Sequence, residues 1–301
     1  MAGKNIKSEI IFPVRLCVTL WLIVFLVSCQ TTPHIPDILL EEAQFAPLES
    51  GGSVYVFANA RQARPIIDLL PIEELNDRQA RQILERTDFF TAALFPPASG
   101  RRFQLAARGN YPSTRGFFAL NTNRHWKRQR FAGGSYWYSE ANRLSLMMTS
   151  TQVFITSFYN NIPAEPVTVP GTRIPEGFHE FRRGYPFSCW LENPAPIFAR
   201  ILSDAGLPIR FPVQQLFFNL YPVERERYEA IIRMQFENAL QARGMAAIFN
   251  LASGFTPNES NSIIASIFFS NPPVQNGSSL DIRTAVLSET DITRLLYLFM
   301  F

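Results

Sequence analysis

Apolar positions along this chain change period in an order that repeats. Ser53–Leu70 (SVYVFANARQARPIIDLL) opens with a continuous apolar run, the mark of a short buried strand. An Asn follows, and then apolar residues at helical spacing. Ser188–Ala205 (SCWLENPAPIFARILSDA) has the same form. Thr91–Pro96 (TAALFP) and Phe217–Pro222 (FFNLYP) each read as a strand ending in an aromatic-proline turn. Phe103–Tyr111 (FQLAARGNY) and Tyr228–Phe236 (YEAIIRMQF) read as the strands that return from those turns. Arg115–Asn121 (RGFFALN) and Arg243–Asn250 (RGMAAIFN) then read as apolar helices. The matches keep their order at a separation of roughly 130 residues, the signature of a duplicated unit.

Further strands are expected at Ser135–Ser139 and Leu144–Ser150, matched more loosely by Ile263–Ser270 and Leu280–Leu287. Ser288–Phe299 opens as a helix, with Ser288 as N-cap and acidic residues in its first turn. Each unit is thus roughly β-α-β-β-α-β-β-α. Strands joined by short loops pair antiparallel, which leaves the helices on one face, and the expected fold class is α+β. The expected organisation is a targeting segment over 1–28, a tether over 29–52, one unit over 53–160, a proline-rich linker over 161–187 and a second unit over 188–301. Pro163, Pro166, Pro170, Pro175 and Pro186 make that linker semi-stiff.

Composition agrees with a folded core. Of 301 residues, 47% are hydrophobic and 18% charged, which excludes disorder for the bulk of the chain. Phe is abundant, at 27 residues. A net charge of only +3 gives no electrostatic footprint for nucleic acid, and none is expected as a partner.

The N-terminal segment has a composition of its own. Lys4, Lys7 and Arg15 precede Leu16–Val27 (LCVTLWLIVFLV), an apolar run of about 12 residues that suits a signal-peptide core and is short of a membrane span. The run ends in Leu26-Val27-Ser28-Cys29, which resembles the lipobox of bacterial lipoproteins. Cys17 is a poor competitor, because Arg15 stands where a lipobox wants a small or β-branched residue. The resemblance implies a diacylglycerol on the Cys29 sulfur, cleavage before Cys29 and acylation of the new amino group. One acyl chain anchors marginally, whereas two or three anchor firmly at about 0.8 kcal/mol per buried CH₂. Removal of 1–28 leaves Cys189 as the only free thiol, so no disulfide forms within the mature chain. Gln30 stands where an Asp would resemble an inner-membrane retention signal, which mildly favours the outer membrane.

The rest of the chain offers little chemistry. His34, His125 and His179 share no metal-ligand spacing, and neither a GxSxG elbow nor a GxxxxGK[ST] loop occurs. No cofactor, metal or catalytic residue is therefore expected. Cys189 reads as an inert core thiol, and Glu73-Glu74 and Glu224–Glu226 as solvated surface. One cluster stands out: RHWKRQR, where Arg124, Lys127, Arg128 and Arg130 surround Trp126. These four are the candidates for contact with an anionic surface. The opposing reading is a solvated loop-to-strand segment in which Trp126 anchors to the core.

Together these features point to a lipid-anchored protein of the bacterial envelope, its globular part outside the cytoplasm, binding or scaffolding near the membrane with an envelope protein or lipid as partner. The alternatives are a carrier with an apolar groove for lipid or peptide and a membrane-tethered hydrolase. The hydrolase lacks a visible nucleophile-base pair.

Overall fold

The structure is a computed structural model. It describes residues 48–69, 81, 83–96, 101–131, 134–141, 143–158, 174–175, 177–196, 199, 212–253 and 271–300. The chain divides into two compact units, Met1–Leu40 and Glu41–Phe301, and every described residue belongs to the second. The targeting segment, Cys29 and His34 lie outside the described residues, as do Glu73-Glu74 and the strand expected at Ile263–Ser270.

Thirteen strands occur among the described residues. The first seven are β1 (Val54–Asn59), β2 (Thr87–Leu94), β3 (Arg101–Gly109), β4 (Lys127–Phe131), β5 (Gly134–Ser139), β6 (Leu144–Met148) and β7 (Gln152–Phe158). The others are β8 (Phe187–Leu191), β9 (Val213–Glu224), β10 (Arg227–Phe236), β11 (Val274–Asn276), β12 (Ser279–Arg283) and β13 (Leu287–Ser288). All pair antiparallel in one sheet of order β11-β12-β10-β9-β8-β1-β2-β3-β7-β6-β5-β4, with β13 also on β10. Five helices are described: α1 (Arg64–Ile67), α2 (Ser113–Thr122), α3 (Phe178–Arg182), α4 (Ala239–Ser253) and α5 (Glu289–Met300). The fold is α+β, mostly antiparallel sheet with a few helices.

The strands expected in two separate sheets thus share one. The join is β1 against β8, with Val54 opposite Leu191, Val56 opposite Cys189 and Ala58 opposite Phe187. Both strands are apolar without alternation, and nearly every residue is buried, because both faces of the sheet are covered there. Away from the join, alternation returns. In β10, Tyr228, Ala230, Ile232, Met234 and Phe236 are buried and the residues between them are less so.

The larger core lies on the face that carries Val54, Val56, Cys189, Phe218 and Ile232. Ile66 and Ile67 of α1, Ala242, Met245 and Phe249 of α4, and Ile292, Leu295 and Leu296 of α5 pack into it. The other face carries Tyr55, Phe57, Trp190 and Phe217, which form a second core with Phe178 and Phe181 of α3. This corrects the expectation of helices on one face only. The physical reason is the short pattern FHEFR, whose Phe178, Phe181 and Arg182 stand at i, i+3 and i+4 and make one buried face. It also corrects the linker, whose C-terminal part contains α3 and the first residue of β8. The end of the span expected as a tether is folded as well. Leu48 is fully buried, and the Glu49 N–H donates to Gln104 Oε1 at 2.8 Å, so the folded part begins before the Gly51-Gly52 pair.

Candidate functional site

The basic segment becomes an edge strand. Residues of α2 lead into it, Arg124 lies in the turn, and Lys127, Arg128 and Arg130 sit on β4, the last strand on its side of the sheet among the described residues. The hairpin partner is β5, in the register Lys127 to Tyr138, Arg128 to Trp137 and Arg130 to Ser135. Strand alternation therefore divides the cations. Arg128 and Arg130 project on one face and Lys127 on the other.

All four cations are exposed. Lys127 lies 3.8 Å from Glu140, with both side chains mostly in solvent, and its ammonium is 5.8 Å from the Tyr138 ring centroid. An ion pair so exposed contributes little. Arg128 donates to Ser135 Oγ at 3.1 Å and covers the Trp137 ring at 5.6 Å. Arg124 and Arg130 have no side-chain partner among the described residues.

Trp126 is only half-buried. The core anchor of this region is Trp137, which is 2% exposed and donates from Nε1 to Asn121 Oδ1 of α2 at 2.9 Å. The opposing sequence reading is thereby half right: the segment is solvated, but its anchor is the tryptophan of the neighbouring strand.

Sequence reasoning missed a second group. Beneath α3, Trp190 stacks on Tyr55 with ring centroids 4.6 Å apart and takes the edge of Phe178 at 4.6 Å. Buried Arg182 places its guanidinium 3.9 Å from the Phe57 ring centroid. Asn219 Nδ2 donates to the Phe181 carbonyl at 2.6 Å and ties α3 to β9. Next to them, Arg233 forms a two-pronged bond to Asp281, at 2.7 Å on both prongs, and lies 4.9 Å from the Phe181 ring centroid. The Tyr221 hydroxyl donates to Glu229 at 2.5 Å. Burial, and then that bond to a carboxylate, push the Tyr221 hydroxyl up to about 12. The group is a braced core with a polar rim, and its packing leaves the aromatic rings no exposed platform.

The remaining candidates resolve simply. Cys189 is buried in the main core, and desolvation raises its thiol well above the ordinary range, so it remains a neutral thiol, as its apolar context implied. Glu224 and Glu226 are exposed at the β9–β10 turn, where Glu224 pairs with Arg227 at 2.9 Å. Among the described residues no cluster of His, Cys, Asp and Glu is arranged to hold a metal ion. No helix among them is long and apolar enough to cross a membrane.

No family model matches the chain, and no curated protein matches it. Solved structures do. Crystal form I of TP0453 aligns at a TM-score of 0.60 and 15% identity, over 86% of this chain and 97% of TP0453. Form III gives 0.57 and 16% over 85% and 97%, and form IV gives 0.57 and 16% over 86% and 96%. At this identity the likeness shows the fold alone: this chain has the fold of TP0453.

Proposed function

We propose that the chain is a bacterial envelope lipoprotein, held on a membrane through lipid on Cys29, whose folded part binds or scaffolds rather than catalyses. The observation that carries the reading is Leu26-Val27-Ser28-Cys29 at the end of a signal-length apolar run. The folded part is tied down from Leu48 onward, so the chain between Cys29 and Leu48, fully extended, reaches about 65 Å from the lipid. The outer membrane is the favoured site, from Gln30 after the cysteine. The contact surface for an anionic partner is the basic edge, Arg124 in the turn before β4 and Lys127, Arg128 and Arg130 on β4. Cys29→Ala tests the anchor. In a bacterial host fed radiolabelled palmitate, the variant is expected to stay unlabelled at precursor size. Normal processing and detergent partitioning of that variant contradict the proposal.

The same proposal takes the folded part as a duplication. The strand order supports it. Outward from the β1–β8 join run β2, β3 and β7 on one side and β9, β10 and β12 on the other. The paired segments read from the sequence, 91–111 and 217–236, fall on the β2–β3 and β9–β10 hairpins, equidistant from the join. The helices α2 and α4 follow β3 and β10 respectively.

A further inference from the structure

We infer that β4 is a strand-addition site for an extended, acidic polypeptide segment. The inference rests on the reading of the basic edge as the contact surface for an anionic partner, and names that partner. An edge strand presents a row of backbone N–H and C=O groups that another strand can complete. Among the described residues, β4 makes backbone pairs with β5 alone. The opposite edge, β11, is only three residues long and offers a far smaller template.

Charge decides which strand can add. Lys127, Arg128 and Arg130 are exposed along five residues, and an identical strand from a second copy would bring cation against cation. An acidic strand brings the complement. Geometry then separates a peptide from a membrane. The cations are divided between the two faces of the sheet, Arg128 and Arg130 on one and Lys127 on the other. A flat anionic surface laid on either face meets only part of the set. A strand beside β4 sends its own side chains alternately to both faces and meets all three. The register requires acids two positions apart, opposite Arg128 and Arg130, with a further acid of the other parity for Lys127.

The test is fluorescence anisotropy with the lipidated full-length mature protein in mild detergent. The probe is a fluorescein-labelled peptide of alternating Glu and Val in which one Val is replaced by Glu, so that acids stand on both faces. Two further peptides carry N-methyl groups along one edge or the other, which blocks pairing on that edge alone. Saturable binding of the parent and of one methylated peptide, with loss of the other, is the expected result. Among the described residues Arg130 has no side-chain partner to lose, so Arg130→Glu is expected to fold normally by circular dichroism and to weaken binding roughly three- to tenfold. Equal binding of both methylated peptides means charge alone and overturns strand addition, as does a parent peptide that fails to bind. Bicelles containing phosphatidylglycerol separate the two levels. If they bind in an Arg130-dependent way and the peptide does not, the basic edge stands and the peptide inference falls. If neither depends on Arg130, both fall.

Discussion

Trp190 shows what a single residue contributes here. It is fully buried, stacked on Tyr55 and edged by Phe178, so its removal deletes a large apolar surface and leaves a cavity the small second core cannot close. Trp190→Ala is expected to cost about 3–5 kcal/mol in urea denaturation. Ser288 is a smaller and more local case. Its N–H and hydroxyl both donate to Asp291, and the Asp291 N–H approaches Ser288 Oγ at 3.3 Å, a reciprocal cap at the start of α5. Ser288→Ala is expected to cost about 1 kcal/mol by the same measurement. That cap was legible in the sequence because capping is a contact between near neighbours. The choice between Trp126 and Trp137 was not, because it depends on how α2 packs against the β4–β5 hairpin. Tyr221 sets a pH dependence. In an unfolded chain its hydroxyl titrates near 10, and in the fold near 12. Between those values the unfolded chain gives up its proton first, so stability is full below pH 10 and falls as pH rises toward 12. Tyr221→Phe is expected to flatten that part of the curve of melting temperature against pH, and an unchanged curve would put the alkaline loss elsewhere.

At the scale of elements, the hairpins and the long helices were readable, because each satisfies its own period. The basic segment reads as a solvated loop-to-strand segment, but nothing in it says that its strand lies at a sheet edge. Such an edge strand has no apolar period of its own, since β5 supplies its buried tryptophan. α3 was hidden for a different reason: a five-residue helix between prolines carries too few turns for a period, and only Phe178, Phe181 and Arg182 betray its face. The β2–β3 ladder has a close approach at its end. A Cβ on Gly109 would stand 2.0 Å from the Arg86 carbonyl oxygen, where the register also shifts. Gly109→Ala is therefore expected to destabilise by about 1–3 kcal/mol, through displaced backbone rather than a lost contact. A variant as stable as wild type would show that this end of the ladder yields freely.

For the whole molecule, order along the sequence was a better guide than the boundaries drawn from it. The apolar runs at β1 and β8 read as strands, but nothing local says that two such strands pair with each other. That pairing turns two expected sheets into one. The main core takes Val54 and Phe90 from the first half of the chain and Phe218, Ile232 and Ile292 from the second. One calorimetric unfolding transition is expected for the folded part, and two resolved transitions would restore the separate domains. The proposed anchor rests on the sequence at the start of the chain. The most direct measurement is the mass of the N-terminal peptide of the protein purified from bacterial membranes. The expected peptide begins at Cys29 and carries the mass of a diacylglyceryl group, with a third acyl chain where the amino group is also modified. A peptide that retains residues before Cys29, or an unmodified Cys29, would contradict it.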